Sequence, residues 1–147
     1  MQAKQEIIDL LKHSLNKNGW IDLPAKGVSM FPFIREGNIC RFILQEPALL
    51  KKGEIVLFTS SSNQLIAHRL CSSFFVNGEQ YFLFKGDSNL GFDELVKANQ
   101  IIGKLSLIQS KRVQSHNFFA NLYGRLILSA PILSRLFRIY LDKFKTT

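Results

Sequence analysis

From Trp20 to about Gln109 the chain is a succession of short runs rich in β-branched and aromatic residues, each closed by a turn signal. The runs are Ile39–Leu44, Glu54–Thr59, Leu65–Cys71, Phe74–Val76, Tyr81–Lys85 and Ile101–Ile108. Punctuation falls between them at Glu36-Gly37-Asn38, Lys52-Gly53, Ser60–Asn63, Asn77-Gly78 and Gly86–Gly91. Asn77-Gly78 between two aromatic runs is a hairpin signal, because both residues tolerate the positive φ of a primed turn. Many short strands at this spacing predict a mainly β, coiled or barrel-like domain. No internal repeat or low-complexity segment interrupts it.

Helical texture flanks the strands. Ile7, Ile8, Leu11 and Leu15 recur at helical spacing over residues 2–17, and Asn18-Gly19 supplies a stop. This predicts one N-terminal helix over 1–19 that buttresses the sheet; a helix-turn-helix reader of DNA needs at least two helices there. Over 117–145, Leu122, Leu126, Leu133, Phe137, Tyr140 and Phe144 form an apolar stripe, with Arg135, Arg138, Asp142 and Lys145 on the other side. Pro131 is expected to kink or divide that helix. Two readings stand: a helix packed on the domain's own sheet, or one lying in the headgroup layer of a membrane.

Charge bears on the second reading. Residues 1–110 carry 12 Lys/Arg against 10 Asp/Glu, whereas 111–147 carry seven (Lys111, Arg112, Arg125, Arg135, Arg138, Lys143, Lys145) against Asp142 alone. The net +8 therefore belongs mostly to the tail. A nucleic-acid protein would spread its basic residues over a recognition surface, so no nucleic-acid partner is expected. A basic apolar tail fits an anionic membrane surface or a partner instead. No cleavable signal is legible at the N-terminus. The nearest candidate for a spanning helix, Phe118–Leu136, holds Arg125 and Arg135, each costing about 2.5–3.5 kcal/mol at mid-bilayer. The expected location is cytoplasmic or peripheral at the membrane surface. Cys40 and Cys71 form no metal-type pair and read as two buried reduced thiols; no metal and no cofactor is expected.

Three stretches carry candidate chemistry. In Lys26-Gly27-Val28-Ser29-Met30-Phe31-Pro32 the serine sits between turn residues, where its hydroxyl can project and backbone N–H groups can face a carbonyl. Serines in such loops are also commonplace. His68, in Leu65-Ile66-Ala67-His68-Arg69-Leu70, shares a strand face with Ile66 and Leu70, as a partly desolvated general base would, or as a core histidine would. Lys85-Gly86-Asp87-Ser88-Asn89-Leu90-Gly91-Phe92-Asp93 follows a strand and offers two carboxylates. One could hold the imidazole tautomer, or Asp87 could simply cap its own turn.

The order of these pieces resembles the signal peptidase family, in the serine–histidine branch typified by the catalytic subunit of the endoplasmic-reticulum signal peptidase. Gly27-Val28-Ser29-Met30-Phe31-Pro32 with Glu36-Gly37-Asn38 is similar to its G-x-S-M-x-P…x-G-D box, and Lys52-Gly53-Glu54-Ile55-Val56 to its K-G-D/E-I-V box. Ile66-Ala67-His68-Arg69-Leu70 resembles I-V-H-R-V, Lys85-Gly86-Asp87-Ser88-Asn89…Asp93 resembles K-G-D-N-N…D, and Ile102-Gly103-Lys104 the closing V-G-K strand. The likeness covers about residues 20–110.

The resemblance implies a signal-peptidase/LexA-like coiled β-sheet catalytic domain at 20–110, followed by a basic amphipathic tail at 111–147. It implies a serine endopeptidase that cuts a leader or signal-like peptide from a precursor. Ser29 would be the nucleophile, His68 the base and Asp93 the catalytic aspartate, with Asp87 supporting the loop. The oxyanion hole would use the Ser29 N–H. Some relatives add a hydroxyl two residues before the nucleophile; Gly27 stands there, so a second donor must come from elsewhere. The pocket around Met30 would admit small residues before the cut.

Departures are informative. Histidine replaces the lysine of bacterial housekeeping enzymes and LexA-type repressors, which disfavours a Ser/Lys mechanism. Asn38 replaces an aspartate, altering a turn. No N-terminal anchor of the family's kind is seen, so substrate is expected in the cytoplasm or at the inner membrane surface. The alternative is a non-catalytic peptide-binding or membrane-associated module of the same fold. A self-cleaving regulator would need a DNA-binding domain and a cleavage segment before Ser29, and 28 residues leave no room for both.

Overall fold

The structure is a computed structural model and describes residues 2–109, 114–116 and 128–144. The expectations that rest on Lys111, Arg112, Leu122, Arg125, Leu126 and Lys145 lie outside these residues.

Helix α1 (Gln2–Asn18) leads into β1 (Trp20–Pro24), β2 (Ile39–Ile43), β3 (Ile55–Thr59), β4 (Leu65–Val76), β5 (Glu79–Lys85), β6 (Val96–Lys97), β7 (Ile101–Gln109) and β8 (Gln114–His116); helix α2 is Pro131–Phe144. The first seven strands make one curled antiparallel sheet, half of a barrel, in the order β1-β2-β7-β3-β4-β5-β6, and β8 pairs with β7. The mainly β expectation holds. The curl has local causes: register shifts between Arg41 and Phe42, Leu57 and Phe58, and Leu70 and Ser72. An extra residue on one strand bends it and increases its twist.

The third shift corrects the sequence reading. Leu65–Cys71 and Phe74–Val76 are one strand, not two, because Cys71 is taken up as a bulge and Ser72 and Ser73 pair with Leu83 and Phe82. Asn77 and Gly78, at φ 50° and 80°, form the expected tight turn into β5.

Apolar residues bury on both sides of the sheet. Ile55 and Leu57 of β3 point into one core with Ile8, Leu15, Phe42 and Ile102, while Val56 and Phe58 point into a second with Leu70, Phe82, Phe84 and Val96. A five-residue strand without alternation is what burial on two faces requires. The first core is closed by α1, whose Ile8 and Leu15 are buried; Ile7, expected on that stripe, faces solvent because the helix presents a narrower face to the sheet. Gly19 ends α1 at φ 78°, its N–H donating to the Leu15 carbonyl. Pro131 opens α2, a position that needs no N–H donor. Among the described residues no helix is long and apolar enough to cross a membrane.

Candidate active site

Ser29 lies on a turn between β1 and β2, held by the Phe31 N–H donating to the Val28 carbonyl at 3.0 Å and the Ile34 N–H to the Met30 carbonyl at 2.9 Å. Met30 anchors the turn by burying its side chain in the first core with Ile34. The turn thereby leaves Ser29 half-buried at the rim of a cavity.

His68 comes from β4, opposite Val56 of β3, and is 6% exposed. The Phe58 ring stands edge-on to the imidazole at 6.4 Å between centroids. Asp93 follows β5, in a segment fixed by its own N–H donating to the Phe84 carbonyl at 2.9 Å. The three side chains meet: Ser29 Oγ is 2.9 Å from His68 Nε2, and Asp93 Oδ2 is 2.6 Å from His68 Nδ1. An ionised carboxylate only accepts, so Nδ1 carries the proton. The neutral ring then has its Nε2 lone pair free to accept the Ser29 hydroxyl proton. Burial of His68 against Phe58 lowers the local dielectric around the ring, which strengthens both bonds.

The cavity beside Ser29 holds about 540 Å³. Its wall is mostly apolar, with Leu23, Ala25, Met30, Phe42, Leu57 and Ala67 prominent; Gly27 and His68 border it too. The neighbouring stretch Leu65–His68 pairs with β3 on one side, while β5 pairing begins only at Arg69. Among the described residues its other edge carries no strand, so its backbone groups are open to an extended chain.

Asp87 does not enter the His68 network. Its carboxylate grips Arg69 twice, Oδ1 to Nε at 2.8 Å and Oδ2 to Nη2 at 2.7 Å, with the two side chains 1% and 0% exposed. Arg69 Nη1 also donates to the Gly53 carbonyl at 2.8 Å, and its guanidinium lies 5.4 Å from the Phe33 ring centroid. One buried cation thus gathers the Lys52-Gly53, His68-Arg69 and Gly86-Asp87 stretches. Reading the residues in order missed Arg69; a charge inside an apolar strand run was the available signal. Gly86 permits the closure, since a Cβ there would sit 2.8 Å from the Ser29 carbonyl oxygen and from the Asn89 side chain.

Both thiols are buried, as expected. Cys40 lines the cavity floor, and burial, aided by the Asp22 carboxylate, pushes its thiol up to about 11. Burial likewise raises Cys71 to about 11, against the pull of Lys85 and Lys52. Neither is a nucleophile near neutrality. Among the described residues no group of three or more His, Cys, Asp or Glu is placed to hold a metal.

No protein-family model matches the chain, and no curated protein matches it.

Proposed function

We propose that this chain is a serine endopeptidase of the signal-peptidase type, with a signal-peptidase/LexA-like catalytic domain, that cuts a leader or signal-like peptide from a precursor. The observation that carries the reading is the continuous Ser29–His68–Asp93 hydrogen-bond chain at the mouth of an apolar cavity. Each member has the chemistry its position requires.

An extended substrate segment would add alongside Leu65–Ala67, placing an apolar side chain before the cut in the cavity. Ser29 Oγ would attack the scissile carbonyl as His68 Nε2 takes its proton. The imidazolium so formed faces the Asp93 carboxylate, which stabilises it. The developing oxyanion would be met by the Ser29 N–H. His68 would return its proton to the leaving amine, and water activated by the same imidazole would release the acyl group from Ser29. The residues themselves supply every proton acceptor and donor in the sequence.

The test is digestion of a mixed peptide library by the full chain, read by mass spectrometry. Cleavage after small or apolar residues is expected, with Ser29→Ala and His68→Ala inert and folded. Cleavage that survives Ser29→Ala removes the reading, and an unreactive native chain that still binds peptides favours the non-catalytic module.

The same reading places the reaction at an anionic membrane surface, through α2. On that helix Ile132, Leu136 and Ile139 are 71%, 55% and 47% exposed and fall within about 60° of one another around the axis. Exposed Arg135 and Arg138 lie along one side of this ridge, Arg138 paired with Asp142 at 3.5 Å. The domain takes the other part of the apolar arc: Phe31 stacks on Tyr140 at 5.8 Å and meets Phe137 edge-on at 6.2 Å. The apolar arc is thus wider than the domain covers, and the charges beside the uncovered part suit an anionic headgroup layer.

A further inference from the structure

We infer that Ser88 is a positioning residue that aims the Ser29 N–H at the oxyanion; the inference rests on the peptidase reading above. Ser88 is fully buried and makes one bond to each of the two peptide units that meet at the nucleophile. Its hydroxyl donates to the Val28 carbonyl at 2.8 Å, and its N–H donates to the Ser29 carbonyl at 2.9 Å. Both peptide units that flank the Ser29 Cα are therefore pinned by one residue, 59 positions further along the chain.

The first bond has the chemical consequence. The Val28–Ser29 peptide is trans, so its C=O and N–H point in opposite directions. Holding the carbonyl against Ser88 turns the Ser29 N–H away from the 86–89 turn. The same carbonyl also accepts the Phe31 N–H at 3.0 Å, which occupies both of its lone pairs. A peptide unit polarised at its oxygen by two donors becomes a stronger donor at its nitrogen. Among the described residues the Ser29 N–H itself has no protein acceptor, so it is available for charge that develops in the reaction. Ser88 is held in turn, because Asp87 before it is clamped by Arg69 and Gly86 lies so near the Ser29 carbonyl that a Cβ there would clash with it. The buried ion pair, the turn and the nucleophile's peptide form one mechanical series that ends on an N–H.

The experiment measures labelling of the full chain by an alkyl fluorophosphonate, which requires both an activated Ser29 and a donor for the phosphoryl oxygen. Ser88→Ala is expected to lower the maximal labelling rate about tenfold or more, since outright loss of one such donor costs about 10²–10³. The half-saturating probe concentration is expected to stay unchanged. The low-field proton resonance of the His68–Asp93 hydrogen bond is expected to persist, which a general loosening of the site would abolish. Ser88→Cys, nearly isosteric with a weaker donor, is expected to fold normally and to label at an intermediate rate. An unchanged rate in either variant overturns the assignment, as does loss of the low-field resonance together with the rate. If the native chain is not labelled, or labelling survives Ser29→Ala, the peptidase reading itself fails and this assignment falls with it.

Discussion

Asp87 meets Arg69 through two parallel hydrogen bonds, and neither side chain is more than 1% exposed. Removing one partner strands the other as a buried charge. Asp87→Ala is therefore expected to destabilise the fold by about 3–5 kcal/mol. The double change Arg69→Met/Asp87→Ala is expected to cost clearly less than Arg69→Met and Asp87→Ala together, because no charge is left behind. Urea unfolding of the four proteins gives the cycle. A loss below about 1 kcal/mol in Asp87→Ala, the size of an exposed pair, would show that the pair does not hold the fold.

Asp93 is bonded to the same histidine as Ser29, but from the far side of the ring. Asp93→Asn keeps the shape and replaces an acceptor with an amide that can donate, which allows the ring to take the wrong tautomer. Peptide cleavage is expected to fall by about 10⁴, with the unfolding midpoint nearly unchanged since Asp93 is partly solvated. A fall of less than tenfold would mean that His68 needs no orienting carboxylate.

For α2 the expected result is binding of the full chain to vesicles of phosphatidylglycerol and phosphatidylcholine, and weaker binding to phosphatidylcholine alone. Ile132→Ser/Leu136→Ser/Ile139→Ser is expected to lower the partition coefficient by about tenfold or more, through lost apolar insertion. Neutralising Arg135 and Arg138 to Gln is expected to cost roughly fivefold each on the anionic vesicles only. Equal flotation of native and triple-serine chains would end the membrane assignment.

The two thiols give a pH prediction whose sign follows from burial. Each sits at about 11 in the folded chain, above the about 8.5 of an unfolded thiol. Below the unfolded value both states hold the proton and the thiols add no pH dependence. As pH rises from about 9 towards 11 only the unfolded chain gains thiolate, so the folded state loses ground. The urea midpoint of the native chain is expected to drop more steeply over that window than that of Cys40→Ser/Cys71→Ser. Parallel curves would place both thiols in contact with water.

How much of this was legible in the order of residues depends on how local each cause is. Asn77-Gly78 announced its turn because two positive φ angles select those residues, and β3 announced itself as a strand through its β-branched and aromatic run, though its burial on both faces was not legible. The fusion of Leu65–Cys71 with Phe74–Val76 was not legible, since Ser72-Ser73 is turn-like until Leu83 and Phe82 pair with it. Trp20–Pro24 was not singled out as a strand because Asp22 and Pro24 are poor strand formers. In place, Asp22 pairs with Arg41 on the neighbouring strand, and the guanidinium keeps its carboxyl below the usual range. Ser29, His68 and Asp93 stood out through the order of five short stretches, not through any pattern of their own. Ser88 was passed over because its two partners lie about sixty residues away, and a hydroxyl's worth is invisible until its acceptor is known.

The position of β7 has a consequence for when the site can exist. Among the described residues it is the last long strand along the chain, yet it lies between β2 and β3, and there it alone pairs the half of the sheet bearing Ser29 with the half bearing His68 and Asp93. A polypeptide still emerging from the ribosome with residues 101–109 unfinished has a hydroxyl and an imidazole on two flaps that no strand pairing yet joins. Alignment of the pair arrives with the closing stitch, so under the proposed peptidase reading an incomplete molecule would stay inert towards its neighbours.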